Sequence, residues 1–188
     1  VSDRGLLLFD TPIGRCGLGW SARGIATVQL PDHDDGRLLA RLRQRLPDAP
    51  LASPPQAVRL AAERTQRLLW GERDDLQDVL LDMEGISAFH QRVYVRARAI
   101  PPGRTITYGE LAADIGAPDA ARAVGQALGL NPFAPIVPCH RILAAASRSG
   151  GFSAPGGIDT KLRMLLIERA AFGAPGLFDD ADGAGGEV

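Results

Sequence analysis

Lysine is nearly missing from this chain. One occurs in 188 residues, Lys161, although basic and acidic side chains balance at 21 against 22. Positive charge is therefore carried by arginine. Cysteine is scarce as well: Cys16 and Cys139 are the two present, too few for a disulfide framework. With three histidines, the thiols and imidazoles fall at no metal-ligand spacing, so no metal is expected at the site. No glycine-rich nucleotide loop occurs, and no cofactor is expected. No apolar run reaches the roughly 18 residues of a membrane helix. No basic segment followed by an apolar one is seen at the start, so the chain reads as cytoplasmic, with free thiols. Internal repeats are absent.

What is present is unevenly distributed. The net charge of −1 hides a net of −2 over residues 1–84, +5 over 85–170 and −4 over 171–188. A basic middle is where a polyanion would bind. Hydrophobic content of 45% supplies a core of ordinary size.

Residues 5–30 carry short β-rich runs split by glycine and proline, the pattern of a meander. Leu38, Leu39, Leu42 and Leu46 predict a helix over 35–46, and Pro54-Pro55 can open another. Val79-Leu80-Leu81 is a candidate further strand, and Met83-Glu84-Gly85 a boundary. The second half reads as helical. Ser87 to Ala99 has Phe89, Val93 and Ala97 on one face. Thr107-Tyr108-Gly109-Glu110 has the form of a capping box opening a helix through Ile115. Asp119 to Leu128 predicts the next helix, with Asp119 in its first turn. The pair resembles a helix-turn-helix. Ile158 to Arg169 is a last amphipathic helix. The expected fold is mixed α/β (α+β). An N-terminal α/β scaffold (1–84) precedes a mostly helical unit (85–170) with the helix-turn-helix. The Gly/Ala/Asp-rich tail over 171–188 is expected to be disordered.

The chemistry concentrates in Pro138-Cys139-His140-Arg141, which follows the Pro-rich apolar run opened by Asn131-Pro132. A thiolate, not a thiol, is the nucleophile, and an adjacent imidazole can generate it. Separately, Ala121-Arg122-Ala123-Val124-Gly125 sets one arginine among small residues. Such a helix could lie against a narrow DNA groove with its arginine entering the base stack. Taken alone, close packing on another helix is the favoured reading.

Together these motifs resemble the O6-alkylguanine-DNA alkyltransferases, in the family's order. They are Phe89 to Tyr94, Ile100 to Gly103 with Thr107 to Ala112, Ala121 to Gly125, Asn131 to Arg141, and Lys161 to Glu168. The resemblance covers about residues 86–170 and is loose before them. It implies repair of O6-alkylguanine in double-stranded DNA, with O4 of thymine as a second target. Transfer would be irreversible, in one turnover, to the protein's own cysteine.

By that resemblance Cys139 is the acceptor, His140 takes its proton through a bound water, and Glu168 holds the other ring nitrogen, favouring the imidazolium. Asn131 supports the turn. Tyr108 helps rotate the flipped nucleotide's phosphate and donates a proton to the leaving guanine. Arg122 fills the gap left in the stack. Thr107, Ala121, Ala123 and Gly125 belong to the DNA face, and Pro138, Ile142, Phe152 and Ser153 to the base pocket. Phe152 stands where many members have tyrosine, and Tyr94 where tryptophan is common. The partner is alkylated duplex DNA, with a monomeric protein and nucleoid association when bound. The alternative is a non-catalytic sensor of alkylated DNA, but known relatives of that kind lack the acceptor cysteine. A regulator would need a further metal-binding domain, and a cysteine hydrolase an oxyanion site; the sequence points to neither.

Overall fold

The computed structural model describes residues 3–144 and 156–170. Phe152, Ser153 and the 171–188 tail lie outside these residues. The chain opens with strands β1 (Gly5–Thr11), β2 (Gly14–Ser21) and β3 (Gly24–Gln29), paired antiparallel in sequence order. Leu6 and Leu8 point to one face of this meander and Leu7 and Phe9 to the other, as strand periodicity requires. Helix α1 (Asp35–Arg45) covers the first face with Leu42, and Leu46 follows it there. Its N-cap, Asp34, accepts from the Arg37 amide. Helix α2 (Gln56–Leu69) covers the other face with Val58, Ala61, Ala62 and Leu68, packed on Leu18 and Trp20.

The segment Val79–Leu81 does not form the expected strand. It makes a single parallel bridge, Ile25 to Leu81. The Val79 carbonyl, like those of Leu76 and Gln77 before it, accepts from the Arg98 guanidinium, while the Leu80 carbonyl accepts from the Ile25 amide. Gly24 permits even this bridge. A Cβ there would stand 2.6 Å from the Leu80 carbonyl oxygen, and its φ of +132° favours glycine.

The second half comprises α3 (Ala88–Arg98), β4 (Ile106–Thr107), α4 (Tyr108–Asp114), α5 (Ala121–Gly129), β5 (Ile142–Leu143) and α6 (Gly157–Ile167). The capping box at Thr107 and Glu110 is complete in both directions. Helix α5 begins later than the sequence predicts. Residues 117–120 form a turn closed by the Ala120 amide on the Ala117 carbonyl, so Asp119 precedes the helix and no acid stands in its first turn. Tyr94 donates to the Ala127 carbonyl at 2.8 Å and meets the Phe133 ring edge-on. This core also takes in Cys16, Leu30 and Leu69 from the first half. The Val28 amide bonds the Pro132 carbonyl at 2.7 Å across the same seam. Among the described residues, no helix is long and apolar enough to cross a membrane.

Candidate active site

Asn131 organises the loop leading to the cysteine. Its amide donates to the Val137 carbonyl at 2.8 Å, and its side-chain oxygen accepts from the Phe133 amide at 2.9 Å. Pro138 then opens a short 3-10 turn, Cys139–Arg141. Strand β5 follows at once and pairs in parallel with β4, Ile106 opposite Ile142 and Thr107 opposite Leu143. Because Tyr108 directly follows β4, this two-residue ladder ties the cysteine turn to the start of α4. Ile142 is fully buried beneath the turn.

Cys139 is 7% exposed. Burial pushes its thiol above the ordinary cysteine value. The Asn131 amide, the Lys161 charge and the backbone N–H groups of Cys139 and His140 act in the opposite sense. The sulfur is thus shielded from water yet surrounded by groups that stabilise its anion.

His140 is buried, and its Nε2 lies 2.8 Å from Glu168 Oε1. A carboxylate can only accept, so Nε2 carries the proton and Nδ1 holds the lone pair. Nδ1 is buried with no protein partner among the described residues. Burial pushes the imidazole below its ordinary value, while the Glu168 hydrogen bond and charge act in the opposite sense and favour the charged ring. Glu168 sits at the C-cap of α6 and accepts from Arg141 as well, through Nη2 at 2.7 Å and Nε at 2.9 Å. Burial would raise Glu168, but the His140 and Arg141 bonds outweigh it and hold the carboxyl down at about 2.

Two participants have no assigned role from the sequence. Arg141 is 1% exposed and also donates to the Ile100 carbonyl at 2.6 Å. It therefore fixes Glu168 while sharing its charge with His140. Lys161 is fully buried and donates to the Ile142 carbonyl at 2.7 Å. Its Nζ lies 5.9 Å from the Tyr108 ring centroid. Burial lowers the ammonium to about 8, opposed by the Cys139 charge. Its being the sole lysine, inside an apolar helix register, was the available signal. Tyr108 is half-buried; burial and the nearby cysteine raise its phenol above the ordinary value, keeping it protonated.

Arg122 is exposed in the first turn of α5, flanked by partly exposed Ala121 and Ala123. A Cβ on Gly125 would meet nothing within 4 Å. The small residue there is required neither by packing within the chain nor by a left-handed backbone. Close helix packing therefore does not explain Gly125, and the face is open to something outside. Thr107 caps α4 beside it, its hydroxyl accepting from the Glu110 amide at 3.1 Å. The described residues hold no cluster of three or more potential metal ligands.

The chain is similar to known proteins in sequence and in fold. A family model described as "6-O-methylguanine DNA methyltransferase, DNA binding domain" matches residues 88–170. A methylated-DNA–protein-cysteine methyltransferase of Mycolicibacterium paratuberculosis is 44% identical over 115 residues, 61% of this chain and 67% of that protein. A DNA base-flipping protein of Thermus thermophilus is 41% identical over 124 residues, 66% of this chain and 81% of its own. Among solved structures, Mycobacterium tuberculosis OGT in complex with DNA superposes with a TM-score of 0.70 at 35% identity, covering 88% of this chain and 92% of that one. The chain belongs to the O6-methylguanine DNA methyltransferase family.

Proposed function

We infer that this protein repairs DNA by moving an alkyl group from O6 of guanine onto its own Cys139, once per molecule. The observation that carries the reading is the buried series Cys139, His140, Glu168, joined through a two-residue ladder to Tyr108 at the start of α4. The orphaned Nδ1 of His140 fits a relay through one water, since the Nε2 side is occupied by Glu168. The thiol proton passes to Nδ1. The imidazolium so formed is held by Glu168 within a dry site. The thiolate then attacks the alkyl carbon; the S–C bond forms, and the C–O6 bond breaks with its electron pair moving into the guanine. Tyr108, protonated, supplies the proton that keeps the departing base neutral. Asn131 and Lys161 support the thiolate before attack.

A base inside a duplex cannot bring its O6 substituent to a buried sulfur, so the nucleotide must be turned out of the stack. Arg122 occupies the gap, and Thr107, Ala121, Ala123 and Gly125 allow the backbone to approach the groove. The first half acts as a scaffold for the second. The place of action is the DNA itself, in the cytoplasm.

Incubation with a duplex containing O6-methylguanine adds one methyl mass to the Cys139 peptide, at a stoichiometry near one. Repair by Cys139→Ala, or repeated turnover, would overturn the assignment. Binding without transfer would instead favour the sensor reading. Arg122→Ala slows repair of duplex more than reaction with a free O6-alkylguanine base; equal losses would remove its role in flipping.

A further inference from the structure

Tyr94 touches both the helix that carries Arg122 and the loop that carries Cys139. It lies on α3 and is 1% exposed. Its hydroxyl donates to the Ala127 carbonyl at 2.8 Å, in the last turn of α5. The last carbonyls of a helix are short of intrahelical donors. Ala127 also takes the Leu130 amide at 3.2 Å, three residues on, so the tyrosine adds a shorter second bond there. The ring of Tyr94 meets the Phe133 ring edge-on, with centroids 6.2 Å apart. Phe133 is fully buried, and its amide is held by the Asn131 side chain. Asn131 in turn holds the Val137 carbonyl, two residues before Cys139. Burial raises the Tyr94 phenol to about 12, and the Cys139 charge acts in the same sense, so the sulfur is within electrostatic reach. The hydroxyl is therefore protonated at neutral pH and free to donate.

Transfer from a duplex needs that helix and that loop in register. Arg122 stands in the first turn of α5, and Ala127 follows five residues on, about 7.5 Å along the axis. DNA seated on α5 presents its extruded nucleotide from wherever the helix is held. Sulfur, carbon and O6 must lie in line, so a small error in that placement slows the displacement. A base free in solution reaches the sulfur without meeting α5, and its reaction is indifferent to the helix. We propose that Tyr94 is a positioning residue for transfer from DNA, its hydroxyl setting α5 and its ring setting the cysteine loop at one fixed offset. The inference rests on the alkyl-transfer reading above and gives a buried residue of α3 a part in it.

Tyr94→Phe tests it, because the change removes the hydroxyl and leaves the ring on Phe133. Three quantities are compared with wild type: the saturating single-turnover rate on a duplex containing O6-methylguanine, the affinity for an undamaged duplex, and the rate with free O6-methylguanine base. The saturating duplex rate falls about fivefold, the worth of one buried hydrogen bond. Duplex affinity and the free-base rate stay within about twofold, because the exposed face of α5 and the groups around the sulfur are unaltered. The preserved free-base rate also shows that the variant is folded. An equal fall on duplex and free base would mark a purely structural role and overturn the proposal. So would an unchanged duplex rate, or an affinity loss as large as the rate loss. Failure of methyl transfer by the wild-type protein would remove the alkyl-transfer reading itself, so the two failures are distinct.

Discussion

Replacing Glu168 with glutamine tests the buried charge arrangement most directly. The carboxylate side chain is 4% exposed and accepts from both His140 and Arg141. Glutamine keeps the shape and one acceptor oxygen but removes the charge, leaving the Arg141 guanidinium without a counter-ion. The folded carboxyl sits at about 2 against an ordinary 4.5. At about 1.4 kcal/mol per pH unit, that displacement is worth about 3 kcal/mol of stability. Breaking a buried ion pair by removing one partner costs about 3–5 kcal/mol, which agrees. The sign follows from the direction. A depressed carboxyl stabilises fully above its unfolded value and loses that contribution as pH falls through the folded one. Denaturant titrations of wild type and Glu168→Gln at pH 7 therefore differ by about 3 kcal/mol, and the gap closes between pH 4.5 and 2. In thermal scans the variant melts roughly 6–12 °C lower. A gap below about 0.5 kcal/mol at pH 7, as expected for a surface residue, would refute the reasoning. So would a gap that stays constant into acid.

Gly125→Leu separates an outward-facing helix from a packed one. With open space around the missing Cβ, the variant is as stable as wild type or gains up to about 1 kcal/mol, while duplex affinity falls at least about tenfold by titration; lost stability with affinity intact would reverse the assignment. Lys161→Met removes an ammonium that opposes the rise of the Cys139 thiol, so iodoacetamide labelling of Cys139 moves to higher pH, and an unmoved profile would deny the coupling. Burial holds His140 below its ordinary 6.5, so the acid limb of the transfer rate is centred below pH 6.5; a limb above it would show that the resting ring is charged.

Local signals carried much of the architecture. The capping box at Thr107 and Glu110 is written in adjacent residues, and so is the cysteine turn with its asparagine brace. Resemblance, not periodicity, brought Glu168 to the site, because nothing near a lone glutamate on a terminal helix names its partners. Arg141 stayed without a role for a related reason. Its neighbour His140 invites the catalytic reading, and only the return of α6 shows that both side chains use one carboxylate. The Val79–Leu81 run has strand composition, but Arg98, distant in sequence, draws off the Val79 carbonyl, and contact with β3 stops at one bridge. Asp119 has the chemistry of a first-turn acid, yet a closed turn ahead of α5 postpones the helix past it.

The sealed position of Lys161 has a consequence for handling the protein. Its chain holds no second lysine, so its one side-chain amine is hidden in the core against Ile142. An amine-selective reagent finds no other lysine to modify while the molecule stays closed. Labelling of residue 161 then reports the fraction of molecules that have opened at the site. The protein carries its own clock for local unfolding, readable by mass with no engineered tag.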